Sequence, residues 1–190
     1  MHQQIAALTD EYRRASERLS VVVDSLSGKR WAARPIPSQW SVAENVAHLN
    51  LTSEAMLPGL RAAVEQAVAS GEPGPERYRC DPVGWVFVRL VGPLPRIGGR
   101  RRGRVRTARA FVPGRALSRD KVLARFHDLQ HEKLALLKQA DGQPIQRFKV
   151  ASPFVNRVRY NGYATFLILV RHQHRHLQQA EEAAKMLKGR

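Results

Sequence analysis

Cysteine is almost absent from this 190-residue chain, in which Cys80 stands alone. A single thiol excludes an intrachain disulfide and any metal site built on several thiolates, and it fits a reducing compartment. Long apolar runs are missing too. The longest clean one, around residues 163–170, is too short to span a bilayer. The opening MHQQIAALTDEY carries polar residues and Asp10 where a secretory leader needs an apolar core. A cytoplasmic protein with no membrane partner is therefore expected. Acidic residues are few: 16 Asp+Glu face 32 Lys+Arg, a formal charge of +16. None falls between Asp81 and Asp120, a stretch of 38 residues that holds ten arginines and leaves only +6 for the rest. So dense a block sets up a field that attracts anions. Composition leaves open whether the anion is nucleic acid, lipid, a neighbouring subunit or an acidic substrate. With 43% hydrophobic residues, the chain is too apolar for disorder and long enough for one domain, 1–190, with a substantial core.

What is present is helical periodicity. Ile5, Leu8, Tyr12, Ala15, Leu19, Val22 and Leu26 recur every three or four residues, the stripe of a helix over about 2–26 that should stop near Ser27-Gly28. After a proline-bearing connection from Trp31 to Trp40, Ser41-Val-Ala-Glu44 forms a capping box, in which hydroxyl and carboxylate each take an amide donor. It predicts a second helix over about 42–69, with Val42, Val46, Leu49, Met56 and Leu60 inward and a kink at Pro58-Gly59. Fourteen glycines and prolines make 70–117 irregular. Within it, 83–91 reads as a short strand or a short buried helix, and periodicity does not decide between them. Ser118 opens a third helix, about 119–140, with Val122, Phe126, Leu129 and Leu136 as its stripe and Asp141-Gly142 as its stop. The fourth runs over about 159–187 and turns Phe166, Leu169, Gln173, Ala180, Ala184 and Leu187 inward. Four amphipathic helices with little strand signal predict an all-α four-helix bundle. A long connection rich in Arg, Gly and Pro separates the second helix from the third.

Seven histidines are present, and two pairs stand four residues apart, where side chains share a helix face and two imidazoles can share a metal. His172 and His176 lie on the buried stripe of the fourth helix. His174, about 200° round from each at 100° per residue, should face solvent. The alternative for the pair is two core histidines bonded to side chains or water. His48, near the edge of the second helix's stripe, is the natural third ligand. Its own-face neighbours Asn45, Thr52, Ala55 and Gly59 are small enough to leave a cavity. His127 and His131 form a rival pair, but H-x-x-x-H-E is not the H-E-x-x-H of zinc proteases, and a solvated pair is expected.

Trp40-Ser-Val-Ala-Glu-Asn-Val-Ala-His48-Leu49 resembles the W-S-x-x-E-x-x-x-H-L signature of the DinB/YfiT-like superfamily. Leu169-Val-Arg-His172-Gln-His-Arg-His176-Leu-Gln-Gln179 resembles that family's final-helix H-x-x-x-H-x-x-Q element. Order and separation agree, and the helix layout extends the match to most of the chain. The resemblance implies an up-down-down-up four-helix bundle with a divalent metal held by three histidines, here His48, His172 and His176. It also implies a metal-dependent thiol S-transferase or a hydrolase acting on a small molecule, with a low-molecular-weight thiol as co-substrate in the first case. The arginine-rich segment departs from the family in detail.

Three imidazoles leave coordination positions open for water or substrate, and they suit zinc or nickel, with manganese and iron also accepted. Asn45, Thr52 and Gln179 are candidates for the pocket or for groups behind the ligands. Glu44 is accounted for by its cap, and Cys80 reads as an inert thiol. Arg100, Arg101 and Arg102 are candidate anion contacts, and a homodimer is the expected assembly. The alternative reading is a non-catalytic bundle whose arginines contact nucleic acid or another acidic partner. Phosphate contacts depend on charge, but the stretch lacks aromatics for base stacking, and no DNA-reading motif accompanies it.

Overall fold

The structure is a computed structural model that describes residues 1–93, 96–97, 100–101, 107–114 and 117–188. In chain order its helices are α1 (Gln3–Asp24), α2 (Gly28–Ala32), α3 (Val42–Ala69), α4 (Pro82–Val91), α5 (Arg119–Gln139) and α6 (Gly162–Lys188). Two small antiparallel hairpins accompany them: β1 (Arg96–Ile97) with β2 (Arg100–Arg101), and β3 (Lys149–Ala151) with β4 (Arg159–Asn161). Single 3-10 turns occupy Arg109–Phe111 and Ile145–Arg147. No described helix is long and apolar enough to cross a membrane.

The helix ends follow from capping chemistry. At α3 the capping box is complete: the Glu44 amide donates to Ser41 Oγ (3.1 Å) and the Ser41 amide to Glu44 Oε2 (2.9 Å). Gly71 (φ +63°) and Gly142 (φ +76°) follow α3 and α5 in the left-handed conformation that favours glycine. Two boundaries differ from expectation. α1 stops at Asp24, because Ser25 Oγ donates to the Val22 carbonyl (2.8 Å) and satisfies its last turn. Gly28 then opens α2, which buries Trp31. α6 begins at Gly162 rather than 159, because Arg159–Asn161 pairs with β3, and Asn161 Oδ1 accepts the Ala164 amide (2.8 Å). α3 runs on through Pro58-Gly59, and the missing side chain of Gly59 lets Val150 of β3 approach.

Residues 83–91 are helical, in α4, which is capped by Asp81 Oδ1 accepting the Gly84 amide (3.1 Å). The expectation of a buried segment holds for one side only, since Val83, Trp85, Val86 and Leu90 are exposed.

Every stripe residue named from periodicity is buried. α1 and α3 each pack on both α5 and α6. The apolar interior falls into two clusters. One gathers Ile5, Tyr12, Leu60, Leu137 and Phe166; the other gathers Leu19, Trp31, Val46, Phe126 and Leu177. Along α6 the first ends at Val170 and the second begins at Leu177, so His172, Gln173 and His176 sit at the waist between them. A buried polar layer occupies this level. Gln130 Nε2 donates to the Tyr12 carbonyl (3.1 Å) and to Ser16 Oγ (3.0 Å). Gln130 Oε1 accepts from Lys133 Nζ (3.0 Å) and from Gln173 Nε2 (2.6 Å).

Candidate metal centre

His48 stands two turns into α3, where residues 42–50 are buried on every side of the helix rather than along one stripe. Its Nδ1 lies 2.7 Å from the Phe111 carbonyl. A carbonyl only accepts, so Nδ1 carries the proton and Nε2 presents its lone pair. Nε2 faces His172 Nε2 at 3.3 Å. The third ring, His176, comes from one turn further along α6, and its Nδ1 lies 3.1 Å from Asn45 Oδ1. Asn45 Nδ2 donates to the Ser41 carbonyl (2.9 Å), which fixes Oδ1 as the acceptor and so gives the His176 proton to Nδ1. The ring centroids of His48, His172 and His176 lie 4.4–5.1 Å apart, and one nitrogen from each falls within 4.8 Å of the others.

This geometry fits a metal. Two imidazole nitrogens at about 2.0–2.1 Å from a tetrahedral ion lie roughly 3.3–3.4 Å apart, the separation His48 and His172 already hold. Without an ion, a proton on His172 Nε2 would be donated to the His48 Nε2 lone pair across that distance. Burial lowers the His48 pKa, against a raising effect of the Phe111 carbonyl, and nearby Arg175 lowers it further. His172 is lowered well below the ordinary histidine value, by burial first and then by His48, Arg175 and Lys133. Both rings are therefore neutral at neutral pH, the form that binds metal. Trp40, the first residue of the α3 motif, tilts over both His48 and His176, at centroid distances of 5.1 and 6.0 Å. Phe111 packs on Phe154 at 4.7 Å, so two loops meet behind the His48 carbonyl contact.

Thr52 is buried, with its hydroxyl donated to the Leu49 carbonyl of its own helix (3.0 Å). Ala55 is exposed. Gln179 is half-buried one turn beyond His176. His127 and His131 are exposed on α5, as expected of a solvated pair. His174 corrects the expectation that it faces solvent: α1 covers that side of α6, and the ring bonds Glu11 Oε2 (2.6 Å) and Arg18 Nη1 (2.9 Å). Arg100 and Arg101 lie in β2, while Arg102 is outside the described residues. Glu44 is committed: Arg34 Nε donates to its Oε2 (2.9 Å), and although burial raises its pKa, Arg34 and Ser41 outweigh that and hold it low. Burial and then Asp81 push the Cys80 thiol up to about 11, so it is inert at neutral pH.

Sequence reasoning missed Phe111 and Lys133. Phe111 sits in the irregular stretch, and a backbone carbonyl leaves no mark on a sequence. Lys133 is 1% exposed, and burial holds its pKa down to about 7. Its place in line with Gln130 on α5 was the signal available.

A family model described as the DinB superfamily matches residues 11–180. The chain belongs to the DinB superfamily. All three clustered histidines fall inside the matched span, and their arrangement fits a metal-binding DinB protein. Comparison with curated proteins and with solved structures finds no match.

Proposed function

We propose that this DinB protein is a divalent-metal-dependent enzyme, a thiol S-transferase or a hydrolase acting on a small molecule, with His48, His172 and His176 as the metal ligands. The observation that carries the reading is the convergence of three imidazoles, with the tautomer of His48 set from behind by the Phe111 carbonyl and that of His176 by Asn45. When bound there, a divalent ion supplies a Lewis acid with open positions and lowers the pKa of a thiol or water towards neutrality. Zinc or nickel suits the donors best in this reading, and manganese or iron is the alternative. The chain's own work is orientation. Asn45 and Phe111 hold the rings, Trp40 walls them in, and Glu44 is engaged in its cap and its ion pair rather than in proton transfer. A low-molecular-weight thiol belongs to the transferase form of the proposal. The reading also carries an up-down-down-up helix order, a homodimer and a cytoplasmic location.

Elemental analysis of untagged protein, purified without added metal and again after dialysis against zinc or nickel, tests the proposal. One ion per chain in the wild type and almost none in His172→Ala is the expected result. Metal content that is negligible after saturation, or unchanged in His172→Ala, overturns it.

A further inference from the structure

The outer face of α4 serves neither the histidine centre nor the core. α4 rests on α6 through Gly84, where a Cβ would overlap the Ala164 side chain, while Phe87 and Val88 pack inward. On the opposite side Val83 (42%), Trp85 (52%), Val86 (44%) and Leu90 (57%) are exposed within ten residues. Cations rim this face. The Arg89 guanidinium lies 4.3 Å over the Trp85 ring. Arg175 Nη1 donates to the Leu90 carbonyl (3.2 Å), and exposed Arg171 flanks Gly92 at the helix end. Asp81, the carboxylate before the helix, is engaged by the Gly84 amide and by Lys149. From there to Asp120 the sequence has no acid and ten arginines.

We propose that the α4 face docks on an anionic phospholipid surface. A short helix with an aliphatic and tryptophan face inside a cationic rim matches both layers of such a surface: the apolar side chains enter the acyl boundary and the guanidiniums meet phosphate. Tryptophan is at home at that boundary. Charge decides against a second copy on this face, because it would set the same arginines of two +16 chains against each other. A nucleic acid would use the arginines and leave Val83, Val86 and Leu90 wet. The sequence argument against a membrane partner concerned spanning, and a helix lying in the interface plane needs no span.

The test uses the full chain with phosphatidylcholine vesicles, with and without phosphatidylglycerol, at about 0.1 M salt. Binding to the anionic vesicles only, with a blue shift of Trp85 fluorescence, is expected. The double substitution Trp85→Ser with Leu90→Ser, at exposed positions that leave the bundle intact, should weaken partitioning by about tenfold or more. Arg89→Gln should weaken it less, and more at low salt than at high. Absence of binding to anionic vesicles overturns the proposal. So does binding that the double substitution leaves unchanged, which would assign the attraction to arginine charge alone. A stronger wild-type preference for duplex DNA or RNA that survives the double substitution also overturns it, as does a dimer that Leu90→Ser dissolves.

Discussion

An imidazole's second nitrogen settles what its first can do, and at this centre the second nitrogens of His48 and His176 are both spoken for. If the three histidines hold a metal as proposed, His172→Ala should abolish stoichiometric zinc or nickel while leaving the fold, since each half of the interior has its own apolar cluster. His174→Ala should keep the metal and cost about 0.5–1.5 kcal/mol, because its bonds to Glu11 and Arg18 tie α6 to α1. Elemental analysis paired with denaturant melts separates the two effects. Lys133 presents the reverse case, a charge that costs stability. Its pKa is about 7 in the fold and 10.5 in the unfolded chain. Below pH 7 both states hold the proton, and the cost of burying the charge is fully present. Between 7 and 10.5 the unfolded state binds more protons, so stability rises with pH. Lys133→Met should therefore stabilise the protein most at or below pH 7, by at most about 5 kcal/mol, with the gain fading towards pH 10.5. Urea melts at pH 6.5 and 10 check this.

Among the elements, α4 depends on one residue for its seat. Gly84 touches the Ala164 side chain closely enough that any Cβ must push the helices apart. Gly84→Val should cost about 1–3 kcal/mol by overpacking and lift α4 from α6. Hydrogen exchange should then show lost protection confined to 82–91, and unchanged protection there would contradict the packing account. α3 makes the opposite use of its residues. Its first turns are buried all round, which is why its cap matters and why His48 can lie off the apolar stripe and still be inside.

For the whole molecule, pH and charge give two further expectations. His48 and His172 have folded pKa values below the ordinary 6.5, chiefly through burial. Above pH 6.5 these rings are neutral in both states, and their burial costs no stability through protonation. As pH falls through 6.5 the unfolded chain takes up protons first, so the fold loses stability down to the folded values. Melting temperature should drop as pH falls below about 6.5, the drop should shrink in His172→Ala, and bound zinc should raise the melting temperature by mass action. The same depression lets metal binding persist below the pH at which free imidazoles protonate. If the arginine segment docks an acidic ligand, charge reversal at Arg100, Arg101 and Arg102 should weaken its binding steeply at low salt and little at high salt, whereas a solvated segment should leave turnover and melting temperature unchanged. A titration at two ionic strengths reads this, and equal losses at both would assign the effect to something other than charge.

Much of this protein follows from local rules. Periodicity located four helices, because a stripe every three or four residues is what one-sided burial requires, and it placed their inward residues correctly. Cap chemistry set the α3 boundary at Ser41, and two spaced motifs picked out the three histidines that converge. Other features needed the assembled chain. Ser25, rather than Gly28, ends α1, and β4 takes the residues expected to begin α6, because in each case a local partner satisfied the backbone first. His174 is covered only because α1 lies across it, a fact of packing rather than of angle along one helix. The Phe111 carbonyl reaches His48 from 63 residues away, and Lys133 is buried among Gln130, Tyr12 and Phe126. Sequence determines which side of an element turns inward; what meets it there is set by contacts between distant segments, which only the folded chain brings together.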